Sequence, residues 1–389
     1  MKKFDKLSLT FRRAFLIGFI SAMLCIPNRV VADTASTSSA DLLALADSLL
    51  SPDAACVFRA EDRQLHALRT AKYSYQVISK TTVPPGFLKM ENSPPGIDTD
   101  GDEKLISLHT IRRINVAYDG GTLFVEARLL SAVGVADDGT SKSVPYVLDH
   151  LLKFWVHKDG TIYKQVFGQF PSDYVSFKIS ADQLRSTGFV YNALLPPIRR
   201  RTNLDTQRSW FVNGSPESKR FRDISFEGNL VVLKHISPTN SASGMKTGSR
   251  TVSVLKADRQ SSLPMESQLF WDDPNGVLQP GPKNLVEWAW SGEIAYPARI
   301  IIFKMAKLGS IYPADELTMI GKPELNGTSV EIPTFEPGMG GFYDQTSTPE
   351  KEIETTRTRV IERNVGTGTH SIRLFPLNLV AGEFPASRH

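Results

Sequence analysis

Asp98, Asp100 and Asp102 stand at positions one, three and five of the run Asp98-Thr99-Asp100-Gly101-Asp102-Glu103, the spacing at which alternating carboxylates converge on a calcium ion. A helix-loop-helix calcium site would continue with glycine where Glu103 stands and with glutamate where His109 stands. Both are missing. The run therefore reads as a solvated acidic turn after Pro94-Pro95, with a looser calcium loop as the alternative. Ser243, Lys246, Thr247 and Gly248 are the residue types of a serine acyl-transfer site, but that chemistry needs its two motifs on separate elements, and here they share one lysine. Gly366-Thr367-Gly368 lacks the third glycine of a dinucleotide loop. The seven histidines contain no pair at metal-ligand spacing on one element. No cofactor is expected, and catalysis by an unrecognised hydrolase site ranks behind binding.

Arg199-Arg200-Arg201 after Pro196-Pro197 is either a solvated turn or a contact for an anionic partner. The five tryptophans are spread along the chain. Trp288 and Trp290 alternate with Val286 and so share one face of a strand. Together with Phe154 and Trp155 they are the candidates for lining an apolar concavity.

The elements that would position these side chains follow from a period of two. Ile114, Val116 and Tyr118 alternate with polar or small residues, and after Asp119-Gly120-Gly121 so do Leu123, Val125, Ala127 and Leu129. Such alternation on both sides of an Asp-Gly turn predicts two half-buried antiparallel strands. The pattern returns at Leu152–Val156 and Ile162–Val166 around Asp159-Gly160, and at 230–236 after Gly228. Further strands are expected at 73–79, 174–179, 210–212, 221–226, 251–255, 265–271, 285–290 and 298–303. The turn glycines are spaced irregularly, which excludes a propeller or solenoid of fixed period. Helices are expected at 41–50 and about 60–71, with a helical turn at 181–186. Beyond Lys307 prolines and glycines loosen the pattern, leaving one edge strand at 354–361 and a final one at 372–375.

The chain begins like an export signal: a basic start, a largely apolar run of 13 residues from Ala14 to Ile26, then Val30-Val31-Ala32 as a cleavage site. That run is too short for a permanent anchor, so no integral membrane anchor is expected after cleavage following Ala32. Loss of six basic residues and one acidic residue takes the formal charge from +4 to −1. A near-neutral mature chain lacks the basic field of a nucleic-acid binder. Cys25 leaves with the signal, and Cys56 alone closes no internal disulfide, so stability must come from a core.

An export signal, leading helices, a long meander, and the Tyr118-Asp119-Gly120-Gly121-Thr122-Leu123-Phe124 hairpin, with a late Trp288-Ala289-Trp290 strand and an entry through Tyr296-Pro297, together resemble the periplasmic lipoprotein carriers of the LolA/LolB type. The resemblance spans about residues 40–305. It implies a curved open sheet whose cavity takes up acyl chains.

The expected fold is mainly β: a strongly curved antiparallel meander, an open half-barrel with short N-terminal helices. The expected organisation is a signal peptide at 1–32, a leader with helices at 33–72, the sheet at 73–310, and an irregular C-terminal segment at 311–389. The expected function is an exported, non-enzymatic binding protein with a hydrophobic ligand, or alternatively a scaffold for a cell-envelope component.

Overall fold

A computed structural model describes residues 68–89, 96–167, 174–195, 223–237, 251–272, 277–305, 311–337, 341–346, 351–356 and 359–364, with residue 198 and the helical positions Val57, Ala60, Arg63 and Ala67. The expected export signal at 1–32, the helix expected at 41–50, Cys56, the arginine triplet 199–201, the strand expected at 210–212, Ser243 to Gly248, and everything after 364 lie outside these residues.

The first run of strands is β1 (Ala71–Thr82), β2 (Leu105–Tyr118), β3 (Thr122–Ala136), the short β4 (Ser141–Ser143), β5 (Leu151–His157), β6 (Ile162–Phe167) and β7 (Tyr174–Ile179). Two six-residue helices follow, α1 (Ala181–Ser186) and α2 (Gly188–Ala193). The second run is β8 (Asp223–Glu227), β9 (Leu230–Ser237), β10 (Thr251–Asp258), β11 (Pro264–Asp272), β12 (Leu278–Ser291), β13 (Ile294–Met305) and β14 (Ile311–Met319). Then come β15 (Glu324–Leu325), β16 (Phe342–Asp344), β17 (Lys351–Thr356) and β18 (Arg359–Asn364).

All strands join one open sheet. Each run is an antiparallel meander, and β1 joins the two by pairing with β2 on one side and β14 on the other. β7 continues through a parallel pairing with β16 into the β17–β18 hairpin. Because β4 lies beside β3 and β15 beside β1 as extensions, the sheet is sixteen strands wide. The Asp-Gly turns form as their composition requires. Gly120 adopts φ 90°, and Asp119 Oδ1 accepts the N–H groups of Gly121 and Thr122 at 2.7 and 2.6 Å.

Nine neighbouring strands, from β13 through β1 to β7 and β16, place side chains in one apolar cluster with α1 and α2. Laid flat, nine strands would span about 38 Å, whereas each helix is only about 9 Å long. The sheet curves, and the helices sit on its inner face. Ser180 starts α1 with a capping box, its hydroxyl accepting from Gln183 N while Gln183 Oε1 accepts from Ser180 N. The roof is then riveted by Leu184, Val190, Leu194, Leu195 and Ile198, all buried. Leu195 N donates to Tyr73 Oη at 3.2 Å, and Tyr75 Oη donates to the Pro297 carbonyl. A second cluster, capped by Val83, Leu88 and Val144, covers the far end of the β2–β3 hairpin.

Three boundaries differ from the sequence expectation. The helix expected at about 60–71 ends before 71, because Ala71 already pairs in β1 opposite Tyr118. Residues 311–319 are no loose tail but a central strand. Its Pro313 is tolerated at a bulge opposite Phe303, and buried Asp315 is neutralised by Lys304 at 2.9 Å. The single edge strand expected at 354–361 is a hairpin of two.

Candidate ligand-binding site

The four aromatic side chains expected to share a cavity are placed apart. Phe154 is fully buried in the inner cluster. Trp155 is its neighbour in an extended strand and therefore points to the outer face. There it packs against Phe124 and Phe335, and its Nε1 donates to the Pro333 carbonyl at 2.6 Å. Trp288 and Trp290 lie on β12, six strand positions from β5, about 29 Å along the sheet. Trp288 Nε1 donates to the Pro264 carbonyl at 2.8 Å, and Trp290 is 51% exposed. Of the four, Phe154 alone belongs to the main inner cluster.

Asp98, Asp100 and Asp102 do come together, around an ammonium supplied by the chain itself. Lys142 Nζ, from β4, lies 3.4 Å from Asp98 Oδ2, 3.1 Å from Asp102 Oδ1 and 3.0 Å from the Asp100 carbonyl. Tyr146 Oη stands 2.8 Å from Asp102 Oδ2, and burial with this carboxylate raises the phenol's pKa. Lys142 thus takes the position that a cation would hold in a calcium loop. Among the described residues no three His, Cys, Asp or Glu side chains converge as a metal site.

A shallow groove of about 360 Å³ opens on the outer face between His157, Asp159, Thr161, Tyr163, Thr334 and Phe335. Its polar groups are committed locally. Asp159 accepts from Thr161 N at 2.9 Å, which holds its pKa low, and His157 Nδ1 is 3.2 Å from Thr122 Oγ1. Phe335 stacks on Tyr163 at 4.2 Å and covers the aromatic face a ligand would use.

The inner face holds the more unusual chemistry. Along β2 the inward positions run Leu108, Thr110, Arg112, Ile114, Val116, and the two polar ones lie where one apolar cluster gives way to the other. Arg112 is 7% exposed. Its Nη1 donates to the Asp149 carbonyl at 3.0 Å, and its guanidinium lies 5.8 Å from the ring centroid of Phe189 on α2. Lys164 occupies the inward position of β6 between Ile162 and Val166, paired with Phe154, its Nζ 5.9 Å from the Phe177 ring centroid. Asp149 and Lys164 are half-buried. Beside them His150 Nε2 is buried without a hydrogen-bond partner among the described residues.

Desolvation dominates all three charges. It raises the Asp149 carboxyl against the opposing pull of Lys164 and Arg112, and it lowers Arg112 and Lys164 against the pull of Asp149. Among the described residues, neither the Asp149 carboxylate nor the Lys164 ammonium has a hydrogen-bond or ion-pair partner. Two cations and one carboxylate therefore meet at the margin of an apolar core.

A consequence is testable through stability. A carboxyl whose pKa rises on folding destabilises the fold wherever it is ionised, and this burden disappears below the unfolded value of about 4. Asp149→Asn is expected to raise the melting temperature at pH 7 and to leave it unchanged near pH 4. An equal shift at both values would contradict the assignment.

The signal for this site was present in the sequence. Arg112 and Lys164 both fall on the apolar phase of their strands, where a charge is out of place. The sequence matches no protein-family profile. It has no significant match among curated proteins either.

Proposed function

We propose that this chain is an exported, non-enzymatic protein that takes up an apolar chain against the inner face of its curved sheet. The observation that carries the reading is the roof: two six-residue helices, with Leu194, Leu195 and Ile198, cover an apolar face contributed by nine strands. Lifting that roof exposes Leu184, Val190, Leu194, Leu195 and Ile198, at about 2 kcal/mol each, roughly 10 kcal/mol in all. A twelve-carbon chain that replaced them would recover about 9 kcal/mol, and a sixteen-carbon chain about 12 kcal/mol, at ~0.8 kcal/mol per methylene. The exchange is nearly balanced, which suits reversible loading rather than permanent retention.

A fluorescent long-chain fatty acid is expected to bind the full-length protein saturably and to be displaced by unlabelled dodecanoate. Absence of saturable binding at any chain length would discard the reading. The density of the same inner core favours a second one, a scaffold on which an envelope component docks. A protein that binds no apolar chain but keeps its full cooperative stability is the result that would select it.

A further inference from the structure

An ammonium on an apolar inner face is expensive when, among the described residues, its only opposite charge is Asp149 and no hydrogen bond joins the two, and the fold has not removed it. Lys164 sits among Phe154, Phe177 and Val166, side chains that could close over methionine with no loss of packing. Arg112, nine-tenths buried, spends one nitrogen on the Asp149 carbonyl and lies against the roof helix α2. Arg112 and Lys164 both take inward positions of their strands, on the face against which the roof helices pack. A guest entering along that face would bring its end to these two cations.

We propose that Lys164, with Arg112, is the seat of an anionic head on the apolar guest, a carboxylate or a phosphate monoester, while the aliphatic chain lies against the inner cluster. The inference rests on the uptake of an apolar chain proposed above and adds the chemistry of the head. Asp149 acts as the counter-charge while the seat is empty. It also limits affinity, since an incoming anion meets one negative charge beside two positive ones.

The test compares three probes of equal chain length on the full-length protein by calorimetry: dodecanoate, monododecyl phosphate and dodecanol. Both anions are expected to bind about tenfold to a hundredfold more tightly than the alcohol, the gain of charge-assisted hydrogen bonds in a desolvated setting. The order of the two anions separates a fatty-acid head from a phospholipid-type head. Lys164→Met should abolish most of that preference, leave dodecanol binding intact and raise the melting temperature, a combination that a purely structural lysine would not give. Asp149→Asn should move anion affinity the other way, upward, and serves as the test should Lys164→Met disturb the fold. Equal affinity for dodecanoate and dodecanol, or a preference that survives Lys164→Met, overturns the anionic seat and leaves chain uptake standing. Failure of all three probes overturns both.

Discussion

Replacing Phe154 with alanine is expected to destabilise the protein by about 3–5 kcal/mol, the range for deleting a fully enclosed phenylalanine. Phe154 is 0% exposed and belongs to the inner cluster, paired across β5 with Val125 of β3 and Lys164 of β6. The surrounding elements are a continuous sheet on one side and a riveted roof on the other, so the site has little room to collapse and the cavity term is retained. Domains hold a total stability of about 5–15 kcal/mol, so the loss is a large share of the whole. Chemical denaturation should show the midpoint falling at constant slope. A loss below 1 kcal/mol would mean that Phe154 faces solvent, and the assignment of the inner face would be inverted along every strand in register with it.

The second large effect lies in the acidic loop. Asp102 is fully buried, and Lys142 from β4 balances it at 3.1 Å. Removing one partner of an enclosed pair typically costs about 3–5 kcal/mol because the other charge is stranded. Lys142 keeps a quarter of its side chain in solvent and Tyr146 still contacts Asp102, so Lys142→Met is expected to cost roughly 2–4 kcal/mol. Adding Asp102→Asn should restore most of this loss, since an amide can remain beside Tyr146 without a counter-charge. If the double variant is as unstable as the single one, packing of the lysine stem and not its charge holds the loop. Added calcium is expected to leave wild-type stability unchanged and to rescue part of the Lys142→Met loss, since the oxygens that surround the ammonium would then be free.

Much of the fold was legible because hairpins are local. The alternation around Asp119-Gly120-Gly121 and Asp159-Gly160 set both strand pairs and their register, and the turn glycines 120, 160, 228 and 292 all adopt positive φ. What sequence could not display was pairing between distant segments. β14 was obscured by Pro313 and the acidic pair Asp315-Glu316, features that deny a strand locally but are tolerated at a bulge and beside Lys304. The parallel β7–β16 joint has no local signature at all. The site fared similarly. Asp98, Asp100 and Asp102 were visible as a cluster, but their partner Lys142 arrives some forty residues later through β4. Grouping Phe154 with Trp155 overlooked that consecutive strand residues face opposite sides, and Arg112 and Lys164, which interrupt an apolar phase, were passed over.

The middle of the sheet is also a seam that closes late during biosynthesis. Tyr75 of β1 pairs with Met319 of β14, a partner 244 residues downstream. Until that segment leaves the ribosome, the first meander can assemble on its own, but β1 presents an open, adhesive border to any other nascent chain. Such a topology folds slowly, and its yield should depend on chaperone protection of that border more than on the stability finally reached.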